Sequence, residues 1–230
     1  FRRVLFRSLL ARASMRALIE PRSADTHKGD YGRVLVVAGS VGKTGAACLA
    51  GLGALRSGAG LVTVATGATS QGIVASLAPE YMTEAIAEDA YGLRPEAADT
   101  IVELARDVAV IGPGLGTEQG TRDFIRRFVD RATFPLVIDA DGLNAFSADP
   151  DALAGREGRD IVITPHPGEM ARLVGMSVEE VQASRLDVAR NFATAHRVYV
   201  VLKGHRTLIA TPDGKVFINP TGNQIGRAHV

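Results

Sequence analysis

The residues best suited to chemistry follow a series of short apolar segments that are typical of buried β-strands. These chemistry-bearing residues are glycines, which let a backbone approach a ligand closely, together with aspartate, histidine and lysine. In an open sheet of parallel strands, ligands bind along the edge where the strands end, and helix N-termini there donate N–H groups to anions. The recurrence of these residue types after successive strands predicts a ligand site on that edge. The segments are AGS (38–40), GPGLG (112–116), DADG (139–142), TPHPGE (164–169) and LKGHRT (202–207).

The stretch AGSVGKTGAACLAG, residues 38–51, has the composition of a phosphate-binding P-loop but not its spacing. That motif requires an earlier glycine in the pattern G-x-x-x-x-G-K. The glycine–lysine pair here is Gly42-Lys43, and the position that needs the earlier glycine holds Val37, inside an apolar strand pattern. The loop is too short to wrap a diphosphate in backbone N–H groups, so we interpret it as a different glycine turn.

The elements that must position these residues alternate between strand and helix with few gaps. Nearly continuous apolar strands separated by helices indicate a parallel sheet that is covered on both faces. We therefore predict one α/β domain, a three-layer α/β/α sandwich with a mostly parallel central sheet. PDG (212–214) predicts a hairpin turn between two final strands. Earlier strand patterns occupy 33–39, 61–66, 107–114, 135–141, 160–165 and 198–204, and the helix patterns include 45–58 and a longer one near 177–196.

Charge and cysteine content exclude several classes of protein. Lysine and arginine number 26 against 25 aspartates and glutamates, a net charge of +1, so no basic excess favours a nucleic-acid partner. No apolar run approaches the ~20 residues that cross a bilayer, so we expect no membrane segment. Cys48 is the single cysteine and cannot form an intramolecular disulfide, which favours a reducing, cytoplasmic location.

Both ends of the chain resemble translations of one DNA element. FRRVLFRS (1–8) can be encoded by a DNA whose opposite strand encodes IGRAHV and then a stop, and IGRAHV is residues 225–230. An arginine-rich organellar presequence is the other interpretation of the N-terminal segment. We expect residues 1–8 and 224–230 to derive from a synthetic sequencing adapter, and residues 9–223 to be a C-terminally incomplete domain.

Seven segments in fixed order identify a family resemblance that runs from about His27 to Asn223. The set resembles the ADP/ATP-dependent NAD(P)H-hydrate dehydratases, which are ribokinase-like enzymes that repair hydrated nicotinamide cofactors. Each segment alone is modest, but their order is specific. They are HKGDYGRVLVVAGS, TGAACLAGLGALRSGAGLVTVAT, IGPGLG, PLVIDADGLNAF, TPHPGEMARL, VLKGHRTLI and NPTGN.

The resemblance implies that four residues contact the hydrated dinucleotide. Ala46 and Ala47 would line its site, because a larger side chain would obstruct a flat substrate. Gly114 would touch it through the backbone, and His166 would lie against it. The structural alternatives are tight helix–sheet packing for the alanines, a simple strand-to-helix turn for Gly114 and a structural histidine.

The resemblance also implies that KGHRT is the nucleotide-binding segment, with Lys203 offsetting phosphate charge and Gly204 permitting close approach. His205, Arg206 and Thr207 complete this segment. A solvated strand end is the other interpretation of Lys203.

The implied cofactors are Mg²⁺ and either ADP or ATP as phosphoryl donor. Asp139 and Asp141 are candidate neighbours of magnesium, since hard cations prefer carboxylate oxygen. Capping of the helix near Gly142 is their alternative role, and we assign no residue as a metal ligand.

The implied reaction transfers a phosphoryl group to the substrate hydroxyl, which then leaves readily and restores NAD(P)H. The family takes its base from a glycine-threonine-glycine-aspartate motif shortly after NPTGN, and this sequence continues as QIGRAHV. We therefore expect the 230-residue chain to be inactive and a longer parent to be an ADP-dependent (S)-NAD(P)H-hydrate dehydratase, with the family favouring a homo-oligomer. The alternatives are a ribokinase-like kinase of a small metabolite and a non-catalytic nucleotide-binding fragment.

Overall fold

The strand and helix patterns form a ten-stranded sheet in the part of the chain that the computed structural model describes, residues 7–18, 21, 23–105 and 107–221. The strands of this sheet are β1 (Arg7–Leu9), β2 (Arg33–Val37), β3 (Leu61–Gly67), β4 (Met82–Ile86), β7 (Val108–Ile111), β8 (Leu136–Ile138), β9 (Ile161–Ile163), β10 (Tyr199–Leu202), β11 (Leu208–Ala210) and β12 (Val216–Ile218), while β5 (Glu88–Asp89) and β6 (Gly92–Leu93) form a separate small hairpin.

Helices connect most of the strands. They are α1 (Arg12–Arg16), α2 (Thr44–Arg56), α3 (Ala68–Leu77), α4 (Ala97–Val102), α5 (Gln119–Arg131), α6 (Asp141–Asn144), α7 (Pro167–Val174), α8 (Val178–Ala183) and α9 (Arg185–His196), with 3-10 turns at Lys28–Tyr31 and Pro150–Leu153.

Sheet order explains why distant segments of the chain meet. The order is β1-β12-β11-β10-β9-β8-β7-β2-β3-β4, and neighbours from β10 through to β4 are parallel. The chain leaves β2 toward β3 and β4, and later returns on the other side of β2 with β7. Ligands bind at such a switch point, and the five chemistry-bearing segments follow five adjacent strands. The predicted three-layer α/β/α sandwich with a mostly parallel sheet is confirmed.

Two apolar cores hold the layers together. The larger core lies under α5, whose apolar positions recur at helical spacing and place Phe124, Ile125 and Phe128 fully inside. The smaller core lies under α2 and α3 and includes Ala47 and Val64. Burial of one face of each helix fixes the strand ends, which positions the loops along the edge.

The helix expected near 177–196 is in fact two helices, so this prediction is wrong. Ser184 takes φ −127° and ψ 28° between α8 and α9. Serine competes for backbone hydrogen bonds and favours helix ends, which explains the break. The expected hairpin is confirmed, because β11 and β12 pair antiparallel.

Edge strand β4 and the β5–β6 hairpin were not predicted. Three of the five β4 residues are exposed, so the sequence MTEAI lacks the apolar pattern of a buried strand.

The terminal segments are described only in part. Residues 1–6 and 222–230 lie outside the described residues, and so does Asn223 of the NPTGN motif. Ser8 and Leu9 pair with Phe217 and Ile218 of β12. The adapter-derived boundaries stay a prediction. In the described part of the chain, no helix is long and apolar enough to cross a membrane.

Candidate functional site

The switch point is built by two glycine turns that bind each other. The amide of Gly39 donates to the carbonyl of Pro113 at 2.8 Å, and Ser40 Oγ donates to the carbonyl of Gly114 at 2.8 Å. Gly114 has φ 66°, and a Cβ atom there would lie 2.8 Å from the Cβ of Ala46. Only glycine allows this approach without strain, so the loop after β7 is fixed against the first turn of α2.

The two alanines of α2 differ in exposure. Ala46 is partly exposed beside Gly114, whereas Ala47 is fully buried beneath Gly39. Ala47 therefore makes the packing contact that was its structural alternative, and it supports the turn from below. Contact of Ala46, Ala47 and Gly114 with a substrate stays a prediction.

A strained turn separates the two aspartates after β8. Ala140 has φ 54° and ψ −120°, and the amide of Gly142 donates to the carbonyl of Asp139 at 2.9 Å. These angles match the first central residue of a type II′ turn, a position that favours glycine and costs other residues about 1–3 kcal/mol. The turn points the carboxylates of Asp139 and Asp141 to different partners.

Asp141 holds the loop after β7 through a hydrogen bond to its backbone. Its Oδ2 accepts a hydrogen bond from the amide of Gly116 at 2.9 Å and lies 3.5 Å from Lys43 Nζ. Its Oδ1 accepts a long bond from Asn144 Nδ2 at 3.4 Å. Asp141 is therefore a loop-organising group as well as a potential cation neighbour.

Lys203 is held between the loops after β8 and β9. Its Nζ lies 2.5 Å from Asp139 Oδ1 and 3.9 Å from Glu169 Oε2, while its amide donates to the carbonyl of Pro165 at 2.8 Å. Its side chain is 31% exposed. Lys203 is not a freely solvated strand end, and its ammonium group is aimed along the candidate site.

His166 caps the N-terminus of α7. Its Nδ1 accepts from the amides of Gly168 at 2.9 Å and Glu169 at 3.3 Å, and Glu169 Oε2 accepts from the amide of His166 at 2.7 Å. Because Nδ1 accepts these hydrogen bonds, the single N–H proton of a neutral imidazole is assigned to Nε2. This Nε2 atom lies 3.3 Å from Glu169 Oε1. Substrate contact by this histidine stays a prediction.

The KGHRT loop has an unusual backbone. Gly204 has φ 145° and Arg206 has φ 56°, and Thr207 Oγ donates to the carbonyl of Gly204 at 3.1 Å. Gly204, His205 and Arg206 are exposed, so this loop presents its positive charge at the edge of the sheet. Binding of nucleotide by these residues stays a prediction.

Four polar residues of the site were not predicted from the sequence. Glu169 and Arg172 follow His166 on α7, and Asn144 accepts a hydrogen bond from Arg172 Nε at 3.0 Å. Arg185 binds the KGHRT loop from α9. Of these, only Glu169 had a local signal, because a glutamate three residues after the cap is typical of a capping box.

The donor set fits a magnesium ion that is bound mostly by phosphate. Within the described residues, no group of three or more histidine, cysteine, aspartate or glutamate side chains could hold a metal. Mg²⁺ is usually bound through one or two carboxylates plus substrate phosphates and water. Such a site requires only one carboxylate from the protein, which either Asp139 or Asp141 supplies, and a dedicated protein cage is not needed.

A cavity of about 220 Å³ adjoins the turn after β2. Its walls include Ser40, Gly67, Glu88, Leu115 and Glu118. It lies between the switch point and the β5–β6 hairpin, so it continues the candidate site toward β3.

The chain matches a family of known proteins over most of its length. The model of the NAD(P)H-hydrate dehydratase family matches residues 34–228. The chain belongs to the NAD(P)H-hydrate dehydratase family. The family expected from the seven ordered segments is thereby confirmed.

Relatives and solved structures agree with this family. The bifunctional NAD(P)H-hydrate repair enzyme of Moorella thermoacetica is 47% identical over 94% of this chain and 41% of its own length. The ADP/ATP-dependent NAD(P)H-hydrate dehydratase of Bacillus subtilis, co-crystallised with ATP and Mg²⁺, has a TM-score of 0.73 at 32% identity, covering 94% of this chain and 73% of that one. A ribokinase-like protein of Enterococcus faecalis has a TM-score of 0.79 at 27% identity, covering 99% of this chain and 77% of that one. The chain spans about two-fifths of the length of the bifunctional relative.

Proposed function

We propose that a longer parent of this NAD(P)H-hydrate dehydratase domain catalyses the dehydration of hydrated NADH or NADPH, in the S configuration, at the expense of ADP or ATP. Family membership carries the proposal, since the family model spans the switch point and every loop of the candidate site. The arrangement of Lys203, His166 and the glycine turns on one sheet edge supports it. ADP is our preferred donor.

The proposed chemistry needs two bound molecules in line. A phosphoryl group moves from the nucleotide to the substrate hydroxyl, whose proton goes to a base. The carbon–oxygen bond then breaks, its electron pair leaves with phosphate, and loss of a ring proton restores the double bond. Magnesium, when bound, neutralises phosphate charge, and the protein chiefly aligns the donor and the acceptor.

The described residues fit binding and alignment. Lys203 is positioned by Asp139 and Glu169 to face negative charge, and its partly buried position strengthens that interaction relative to open water. The glycines at 39 and 114 let the turns after β2 and β7 pack directly on Ala47 and Ala46, which fixes the backbone that would border the substrate. The base remains unassigned among the described residues, and inactivity of the 230-residue chain stays a prediction.

The direct test supplies the longer parent with hydrated NADH, Mg²⁺ and ADP or ATP, and follows recovery of NADH absorbance together with phosphate release. The same assay on the 230-residue chain should show no turnover. Equal recovery and release support the dehydratase. A phosphorylated metabolite as end product would instead support a small-molecule kinase. Nucleotide binding with no consumption of substrate by a full-length parent supports a non-catalytic module.

The quaternary structure and cellular location of the longer parent are also proposed. We propose a homo-oligomer in the cytoplasm, with no nucleic-acid partner. Light scattering of the purified longer parent tests the oligomer, and the expected result is a mass that is a multiple of the mass of one parent chain.

A further inference from the structure

Arg185 binds the KGHRT loop from behind. It is the first residue of α9, and its Nη1 donates to the carbonyl of His205 at 2.7 Å. Its Nη2 donates to the carbonyls of Leu202 at 3.2 Å and Lys203 at 3.4 Å. One planar guanidinium group therefore bridges the end of β10 and the middle of the loop.

The charge of Arg185 has no carboxylate partner in the described part of the chain. All of its described hydrogen bonds go to backbone carbonyls, and burial lowers the pKa of its guanidinium. Arginine nevertheless stays protonated in proteins. Its positive charge is therefore directed into a loop that already carries Lys203 and Arg206, an arrangement that favours an anion.

Two backbone features of the loop lie beside this contact. A Cβ atom on Gly204 would lie 2.8 Å from Arg185 Nη2, so the loop backbone rests directly on the guanidinium. Arg206 takes the left-handed conformation with φ 56°, which is unfavourable for a non-glycine residue. Strained residues persist where the surrounding structure holds them, and Arg185 supplies bonds on both sides of Gly204.

We propose that Arg185 is a positioning residue for the nucleotide. It holds Lys203–Thr207 in the conformation that receives a di- or triphosphate and adds positive charge behind it. The inference rests on the proposed function, which assigns the loop to the nucleotide. It goes beyond that assignment by placing the control of the loop on α9, outside the motif itself.

Two variants test whether the guanidinium fork is required, one with the positive charge retained and one without it. Arg185→Lys retains the charge but cannot bridge three separated carbonyls, and Arg185→Gln loses both. Calorimetric titration with MgADP should give affinities roughly tenfold to a hundredfold weaker for both variants, because charged hydrogen bonds are lost and the loop must be ordered on binding.

Arg190→Gln is the matched control on the same helix. Arg190 is buried, its Nη1 donates to Asp187 Oδ1 at 3.2 Å, and its Nε donates to the carbonyl of Gly214 at 3.2 Å in the β11–β12 turn, away from the KGHRT loop. We expect it to lower the melting temperature and leave MgADP affinity unchanged.

Amide hydrogen exchange gives a readout that needs no ligand. In Arg185→Gln, residues 203–207 should exchange faster, whereas α5 should exchange as in the unsubstituted chain. Unchanged exchange and unchanged MgADP affinity in that variant would overturn the proposal, and so would wild-type affinity in Arg185→Lys. Equal loss of affinity in Arg190→Gln would also overturn it. If the unsubstituted chain fails to bind MgADP, the assigned nucleotide is wrong, and the exchange result alone then decides whether Arg185 holds the loop.

Discussion

The ammonium group of Lys203 lies 2.5 Å from the carboxylate of Asp139, although 64 residues separate them in the sequence. The contact joins the loops after β8 and β10, two strands that flank β9 in the sheet. It fixes the lysine over the candidate site before any phosphate arrives. Phosphate binding must compete with Asp139 for the same ammonium group, which makes this pair the first target for substitution.

Lys203→Met should weaken MgADP binding by about tenfold or more, since a charged partner of the phosphate is lost.

Asp139→Asn should leave folding largely intact and release Lys203. A double-mutant cycle on the free energy of unfolding should give a coupling of about 1 kcal/mol for this partly exposed pair. Thermal or urea unfolding of the four proteins measures it. A coupling of zero would show that the contact is not maintained in solution.

Ala140→Gly should stabilise the protein by about 1 kcal/mol. The strain of φ 54° and ψ −120° disappears with glycine, and this gain exceeds the added entropy of the unfolded chain. Ala50→Gly in the middle of α2 is the control, and it should destabilise by about 1 kcal/mol. Urea unfolding checks both. Destabilisation by Ala140→Gly would mean that the turn is not strained.

Gly114→Ala and Gly42→Ala separate steric from conformational cost. Both glycines have positive φ, but an added Cβ lies 2.8 Å from the Cβ of Ala46 at Gly114 and meets nothing within 4 Å at Gly42. We expect a loss of about 1 kcal/mol at Gly42 and a larger loss at Gly114. Melting curves compare the two. Equal losses would mean that the contact with Ala46 relaxes freely.

The positions of the site loops were predictable from sequence, whereas their contacts were not. Each loop follows an apolar strand, and parallel strands end on one edge, so Asp139, His166 and Lys203 had to face the same side. The Lys203–Asp139 pair depends on the order β10-β9-β8, which local patterns do not encode. Arg185 was missed for a related reason, because its role depends on a break at Ser184 inside what resembled a single helix.

Acid should weaken the link between α4 and α5. Hydrogen bonds from Arg127 and Arg131 hold the pKa of Asp99 well below its ordinary value of 3.8. A lowered folded-state pKa contributes stability that is present above the unfolded value and is lost as the pH falls toward the folded value. The difference in unfolding free energy between the wild type and Asp99→Asn should therefore be constant near neutral pH and shrink below about pH 4.

The control removes the arginines rather than the carboxylate. In a background with Arg127→Gln and Arg131→Gln, Asp99→Asn should no longer change the acid dependence of unfolding. Urea titrations over a pH series measure it. An unchanged acid dependence in the single variant would show that these exposed pairs contribute nothing measurable.

His166→Asn and His166→Ala should separate the capping role from the proposed substrate contact. Asparagine is a good helix cap, so His166→Asn should retain most of the stability, whereas His166→Ala should lose about 1 kcal/mol together with the bonds to Gly168 and Glu169. If the imidazole contacts hydrated NADH, both variants should bind it more weakly while MgADP affinity is retained. Titration of each ligand separately makes the comparison. Normal binding of hydrated NADH by His166→Asn would leave His166 with the helix cap as its whole function.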